Sequence, residues 1–392
     1  CICGCKAKSS WVNYLEKHPT ILFVGGGSGG HIYPNVAVLD RLNELGVKID
    51  ARFVVSERAI DESILTKLDL RGHTIGAKPL SLRPRGFVDF VKAFKRAERE
   101  SFELIRTTGA RAMLATGGFV SGPALKAASR AGIPNAMVNL DAVPGKSNRF
   151  TARYASDLFS AYETTKLGKA QQISVPLRPS VVNHVSAEQA RLALGLDPTL
   201  DTLLVFGGSQ GGGTINMALA ELVGRATVRD LFAGWQVLHL TGEGDYEAVR
   251  EAYARRGIPG RVEVFCSEMG RAWGAATVAV CRAGAGTVAE SWANAVPCLY
   301  MPYPFHKDEH QRLNAAPVVN RGGGMLLKDR VDVHDNVGEL MGPLRDLMKN
   351  TLRREQMKKA LIESRPIDGA TTLAEWVVTV LGLAVSPSKL LR

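Results

Sequence analysis

One local pattern is written twice in this chain. Apolar Thr20-Ile-Leu-Phe-Val24 runs into Gly25-Gly-Gly-Ser-Gly-Gly30-His31 and then into Pro34 to Leu42, where apolar positions 36, 39 and 42 recur at helical spacing. Far downstream, Thr202-Leu-Leu-Val-Phe206 runs into Gly207-Gly-Ser-Gln-Gly-Gly-Gly213 and a helical stretch from Thr214 to Leu222. Strand, glycine turn, helix is the opening unit of a doubly wound α/β domain with a parallel sheet. Two copies predict two such domains, and 392 residues suit that number. Pro-containing Val175-Pro-Leu-Arg-Pro179 and the capping-box spacing Ser186-Ala-Glu-Gln189 put the boundary near residue 178. The expected organisation is therefore a disordered or artefactual extension over 1–19, domains over 20–177 and 178–365, and a terminal segment over 366–392. That last segment contains a helix, Thr371 to Leu383, with no strand after it, which is expected to pack back on the first domain.

Composition narrows the function classes. Hydrophobic residues make up 45% and charged residues 22%, which fits a folded water-soluble chain and excludes a disordered one or a membrane channel. The longest apolar stretch, Trp376 to Val385, is about half the ~20 residues that a span needs. The first 18 residues lack the apolar core of a signal peptide. The six cysteines form no disulfide framework, which points to a reducing compartment. Cys1, Cys3 and Cys5 have no further ligand at metal-binding spacing, so no metal is expected. Net charge is +11, and it is one-sided: residues 1–170 carry 25 Lys/Arg against 15 Asp/Glu, the remainder 24 against 23. A basic first half suits an anionic partner; no recognised nucleic-acid module accompanies it, so nucleic acid is not expected.

Glycines that let a ligand approach the backbone N–H groups at a helix start make a site for phosphate or diphosphate. Further strand-to-glycine junctions occur at Met113-Leu-Ala-Thr-Gly-Gly118 and at Val278-Ala-Val-Cys-Arg282 before Ala283-Gly-Ala-Gly-Thr-Val-Ala-Glu290. Two enzyme classes compete for these features. Gly25-x-Gly27-x-x-Gly30 satisfies a dinucleotide fingerprint, but Asp50 precedes the following apolar run instead of ending it, and Arg58 stands beside Glu57. His306-Lys-Asp-Glu-His310 matches an inverted zinc-peptidase motif, but Pro302 and Pro304 put a loop before it and no third ligand follows.

Five spaced motifs carry a resemblance: Gly25-Gly-Gly-Ser-Gly-Gly-His31-x-x-Pro34, Thr116-Gly-Gly-Phe-Val-Ser-Gly-Pro123, Gly207-Gly-Ser-Gln-Gly211, Cys281-Arg-Ala-Gly-Ala-Gly-Thr-Val-Ala-Glu290 and His306-Lys-Asp-x-x-Gln311-x-x-Asn314-Ala315. Together, over roughly residues 20–380, they resemble the MurG family, bacterial transferases that move N-acetylglucosamine from UDP-N-acetylglucosamine onto lipid I to make lipid II for peptidoglycan. The resemblance implies the GT-B fold, two Rossmann-like doubly wound domains facing an interdomain cleft, with donor in the second and acceptor against the first. It implies no cofactor, and the chain has no Asp-x-Asp pair of the kind that holds a divalent ion in the other large glycosyltransferase class. Donor diphosphate would meet Arg178, the Ser209–Gln210 loop and the helix start at Ala285, Gly286 and Thr287. Glu290 would accept the ribose hydroxyls, or else complement the helix dipole. Phe265, Cys266 and Met269 would border uracil; Gln311 and Asn314 would contact the sugar, although Asn314 could equally be a core or capping amide. Ser28, Gly29, Gly30 and Asn148 would lie against the acceptor's diphosphate or sugar. His31 is either the general base of an inverting single displacement or a structural histidine capping its helix.

The chain departs from the family in one stretch. Val138-Asn139-Leu140-Asp141 replaces the usual His-Glu-Gln-Asn, and Phe119 stands where tyrosine is common, so either Asp141 takes over as base or acceptor-binding group or acceptor binding is altered. Two other readings stand beside the transferase: another GT-B enzyme, such as a glycolipid synthase or epimerase, using the same donor cleft, and, motivated by the changed stretch, a nucleotide-binding cell-wall scaffold without transfer activity. Lipid I is a membrane lipid, so the resemblance also implies a peripheral protein on the cytoplasmic face of the inner membrane, with anionic lipids and other cell-wall synthesis and division proteins as partners. Phe87, Phe90, Val91 and Phe94 recur at helical spacing among Lys92, Lys95, Arg96 and Arg99, a basic amphipathic pattern suited to such a surface or to a core with a solvated basic face.

Overall fold

A computed structural model of the chain describes residues 18–80, 83–208 and 212–384. Ser209, Gln210 and residues 1–17 lie outside the described residues. The first half folds as β1 Thr20–Val24, α1 Gly29–Glu44, β2 Asp50–Ser56, α2 Ala59–Lys67, β3 Gly72–Ile75, α3 Pro84–Thr108, β4 Ala112–Ala115, α4 Ser121–Ala131, β5 Asn135–Asn139, α5 Lys146–Thr151, β6 Asp157–Ser160 and β7 Gln171–Gln172. The second half follows as α6 Ala187–Ala193, β8 Asp201–Phe206, α7 Gly213–Gly224, β9 Trp235–Leu240, α8 Tyr246–Arg256, β10 Gly260–Glu263, α9 Met269–Ala275, β11 Val278–Cys281, α10 Ala285–Ala293, β12 Cys298–Tyr300, α11 His310–Asn320, β13 Gly324–Leu326, α12 Val333–Lys349, α13 Thr351–Glu363 and α14 Gly369–Leu381.

Each half closes its own parallel sheet. The first runs β3-β2-β1-β4-β5-β6-β7 and the second β10-β9-β8-β11-β12-β13, so in both sheets the strand order reverses beside the first strand, the switch point where such sheets bind ligands. The central strands are buried on both faces, hence their unbroken apolar runs: Ile21 to Val24, Leu203 to Val205 and Val278 to Cys281 are all sealed from solvent. Ser186 and Gln189 make the full capping box that opens α6.

Helix α14 returns to the first domain. Ala370, Leu373, Ala374, Val377 and Leu381 join the core that contains Ile21, Phe23 and Phe53, and each buried Leu or Val contributes about 1.5–3 kcal/mol. The helix begins two residues before the periodicity suggests because Asp368 caps it, accepting from Ala370 N at 3.1 Å and from Leu177 N of the linker at 3.3 Å. Gly369 is needed there: a Cβ would stand 1.9 Å from the Ser174 carbonyl oxygen. Trp376 Nε1 donates to Asp157 at 3.1 Å.

Candidate active site

Two glycine turns interlock at the carboxyl ends of β1 and β4. Gly117 and Gly118 have φ of +115° and +81°, and a Cβ on Gly118 would lie 2.2 Å from the Gly26 carbonyl oxygen; only glycine permits that approach. Thr116 Oγ1 donates to the His31 carbonyl at 2.5 Å. The His31 ring sits with Nδ1 3.2 Å from the Thr116 carbonyl oxygen. A carbonyl can only accept, so Nδ1 carries the proton and Nε2 keeps its lone pair. Burial lowers the His31 pKa, opposed by the nearby Asp141 charge, the Thr116 bond and Asp61. His31 is therefore neutral at pH 7 with a basic nitrogen available. It is the third residue of α1, and its ring bonds Thr116 rather than capping the helix end.

Asp141, just after β5, reaches across to the second domain. Its Oδ1 accepts from Asn314 Nδ2 at 2.9 Å, while Ala142 N donates to Asn314 Oδ1 at 2.8 Å. Tyr162 Oη donates to the Asn314 carbonyl at 3.2 Å, and Asn314 Nδ2 also donates to Ala283 O at 3.3 Å. Asn314 is fully buried, so this amide, expected from the resemblance to contact sugar, is here the bolt between the domains. Asn148 donates to Asn139 at 3.2 Å, and Asn139 in turn donates to the Asp141 carbonyl at 2.7 Å; Asn148 supports the Asp141 turn from behind.

The bolt ends beside the start of α10, whose N-cap is Gly284. Its intrahelical bonding begins with Val288 N donating to Gly284 O, so the amides of Ala285, Gly286 and Thr287 form the positive end of the helix. Glu290 lies one turn on. Trp273 Nε1 donates to its Oε2 at 2.9 Å. Burial pushes the Glu290 pKa up to about 7, against the opposing pull of the Trp273 bond and of Arg178. Arg178, in the linker, also covers the Tyr33 ring of α1 at 4.7 Å, and so bears on both domains. Phe265 is 62% exposed, and Lys67 at the end of α2 lies 5.6 Å from its ring centre. Cys266 is half-buried, its thiol pKa raised by burial. Met269 begins α9, and Gln311 Oε1 accepts from Tyr303 N at 2.9 Å.

Arg282, between Cys281 and Ala283, carries no signal in the sequence of what it does. It is buried, donating to Asp329 at 2.7 Å, to the Met301 carbonyl at 2.8 Å and to Thr214 Oγ1 at 2.8 Å. These bonds tie the start of α7 to the ends of β11 and β12.

In the first domain, α3 docks through a face of mostly small residues. Ala93, Ala97, Ser101 and Ile105 are buried, and Gly122 of α4 lets Phe94 approach. Phe87 remains 48% and Val88 51% exposed. Rings step from Phe87 to Phe90, Phe94 and Phe150 with centres 6.4, 5.9 and 6.3 Å apart. Lys92, Lys95, Arg96 and Arg99 are exposed along the same helix.

The Glycosyltransferase family 28 N-terminal domain matches residues 21–160, and the family 28 C-terminal domain residues 202–373. A UDP-N-acetylglucosamine--N-acetylmuramyl-(pentapeptide) pyrophosphoryl-undecaprenol N-acetylglucosamine transferase of Geobacter metallireducens is 31% identical over 371 residues, covering 92% of this chain and 98% of its own. The chain belongs to the MurG family. The transferase of the same name from Leifsonia xyli subsp. xyli is 36% identical over 313 residues, 79% of this chain and 84% of its own. The crystal structure of Acinetobacter baumannii MurG superposes with a TM-score of 0.69 at 21% identity, over 92% of this chain and 99% of that one, and shares the fold.

Membership disposes of both rival motifs on structural grounds as well. Asp50 opens β2, at the end of the strand remote from the glycine turn, and is held there by Arg52 and Thr20. Helix α11 begins at His310, so His306 precedes the helix and the two imidazoles do not share one helical face; their ring centres lie 4.3 Å apart with the planes tilted by 31°, and His310 Nδ1 is engaged by Asp308 at 2.8 Å. Against the usual MurG pattern, Phe119 packs beside Gly27, with the Arg58 guanidinium 5.1 Å from its ring centre.

Proposed function

We propose that this chain transfers N-acetylglucosamine from UDP-N-acetylglucosamine to the muramyl sugar of a pyrophosphoryl-undecaprenol acceptor, lipid I, with inversion, making lipid II. The observation that carries the reading is the placement of both ends of the reaction on one interdomain run. Asp141, whose charge bears on the neutral base His31 of the first domain, is hydrogen-bonded to Asn314, and Asn314 to Ala283, next to the positive end of α10 in the second. In the reaction the acceptor hydroxyl oxygen attacks the anomeric carbon as His31 Nε2 takes its proton. The bond from that carbon to the diphosphate oxygen breaks, and UDP leaves with the electron pair, its new charge facing the α10 amides and Arg178. Glu290 takes the ribose hydroxyls, the Phe265–Met269 loop borders the uracil, and Gln311 faces the sugar. Ser28, Gly29 and Gly30 at the start of α1 hold the acceptor's diphosphate. The test is transfer of labelled sugar from UDP-N-acetylglucosamine to a lipid I analogue in chelator. Acceptor-dependent lipid II analogue is expected; donor binding without product would return the chain to the scaffold reading.

The acceptor's lipid fixes where such an enzyme must work. No helix among the described residues is long and apolar enough to cross a membrane. The reading supported by the half-exposed Phe87–Phe94 ladder and its basic neighbours is peripheral docking of α3 on the anionic cytoplasmic face of the inner membrane. Each basic residue near such a surface contributes about 1 kcal/mol. Replacing Lys92, Lys95 and Arg96 by Glu is expected to reduce partitioning onto anionic vesicles by more than about a hundredfold, with donor binding unchanged in solution. Equal sedimentation of variant and parent with the vesicles would make the stripe an ordinary solvated face.

A further inference from the structure

Asp61, in the first turn of α2, is a fully buried carboxylate that belongs to no recognised motif. Its Oδ2 accepts from Gly27 N at 2.7 Å, from Ser56 N at 3.1 Å and from Ser56 Oγ at 2.5 Å. Its other oxygen, Oδ1, is buried without a hydrogen-bond partner among the described residues. Burying a carboxylate is costly, and here the compensation comes from two backbone amides, one hydroxyl and the N-terminal end of α2. Three of those contacts are aimed at one place, the junction of the first glycine turn with the end of β2. The turn is built around this carboxylate: a Cβ on Gly26 would stand 2.7 Å from Asp61 Oδ2, and Gly27 has φ +89°. The Gly27 amide is thereby consumed by Asp61, and the amides that follow it, at Ser28, Gly29 and Gly30, begin α1.

We propose that Asp61 is the positioning residue of the acceptor side: its carboxylate holds the Gly25–Ser28 turn in the one conformation that presents the start of α1 and the His31 imidazole to the acceptor. The inference rests on the assignment of that turn to the acceptor diphosphate. Asp61 reaches the reaction only through Gly27 and His31. The charged groups that bear on His31 are Asp141 from the β5–α5 turn and Asp61 from α2, while Arg58 donates to the Gly27 carbonyl at 3.0 Å. Removing the Asp61 charge therefore makes His31 harder to protonate.

Steady-state kinetics with UDP-N-acetylglucosamine and a lipid I analogue separate this role from a general structural one. Asp61→Asn is expected to lower kcat/KM for the acceptor by roughly tenfold or more, as a misplaced reacting group does. The donor KM should stay within about twofold, and the acid limb of the pH profile should move to lower pH. Ser56→Ala keeps the charge, and should raise the acceptor KM while leaving the acid limb in place. Equal losses toward donor and acceptor, or parental kinetics in both variants, would overturn the proposal. If Asp61→Asn does not fold, Ser56→Ala decides, since a parental acceptor KM in that variant contradicts the assignment. A parent enzyme that makes no lipid II analogue would instead count against the functional reading beneath it.

Discussion

Replacing His31 by alanine is expected to lower kcat by roughly 10²- to 10⁴-fold, the usual contribution of a positioned general base, with the donor KM unchanged. Two features lead to that magnitude. The Thr116 carbonyl fixes the tautomer, so in the neutral ring the lone pair lies on Nε2 rather than Nδ1. Burial holds the ring neutral at working pH. His31→Gln should recover little, since an amide cannot take the proton. Asp141 is the competing base, and its Oδ1 is already engaged by Asn314 at 2.9 Å. A His31→Ala enzyme retaining kcat within about threefold, with Asp141→Asn losing it instead, would transfer the role to Asp141.

Glu290→Ala is expected to raise the donor KM by roughly a hundredfold. Hydrogen bonds to a charged group are each worth about 1.5–3 kcal/mol, and two ribose hydroxyls sharing one carboxylate amount to about 3 kcal/mol once the lost bonds to water are counted. The pH dependence gives a sharper test. Burial raises the Glu290 pKa to about 7, well above the ~4.3 of an exposed glutamate. The folded protein thus holds this proton more tightly than the unfolded chain does. The stability contribution is present in full below pH ~4.3 and is lost as pH rises through about 7. Donor hydroxyls prefer the ionised form, so binding of UDP-N-acetylglucosamine should strengthen from pH 6 to pH 8 and level off above. In Glu290→Gln the dependence should flatten. Calorimetric titration of both proteins across that range is the measurement, and parallel profiles would remove the ribose role.

Most of the architecture could be read locally. Strand, glycine turn and helix are set by residues within about twenty positions of one another, as at Thr20 to Leu42 and Thr202 to Leu222, and the Ser186–Gln189 capping box is a contact between neighbours. Periodicity alone marked the Phe87–Phe94 stripe. It did not show that α3 docks by its Ala93, Ala97 and Ile105 face and leaves the aromatics partly open, because that depends on how closely Gly122 of α4 allows approach.

The sequence by itself determined two parallel-sheet domains, the turns at their switch points, and, through spaced motifs, the family. Tertiary structure decided what each polar side chain does. Asn314 became an interdomain bolt rather than an open amide, Arg282 a buried tie to Asp329, and Asp61 the anchor of Gly27. These partners lie tens to more than a hundred residues apart, and nothing in a local pattern says which of them will meet. A buried polar group must find a hydrogen-bond partner, and only tertiary packing, within each domain for Arg282 and Asp61 and between the domains for Asn314, settles which partner is within reach.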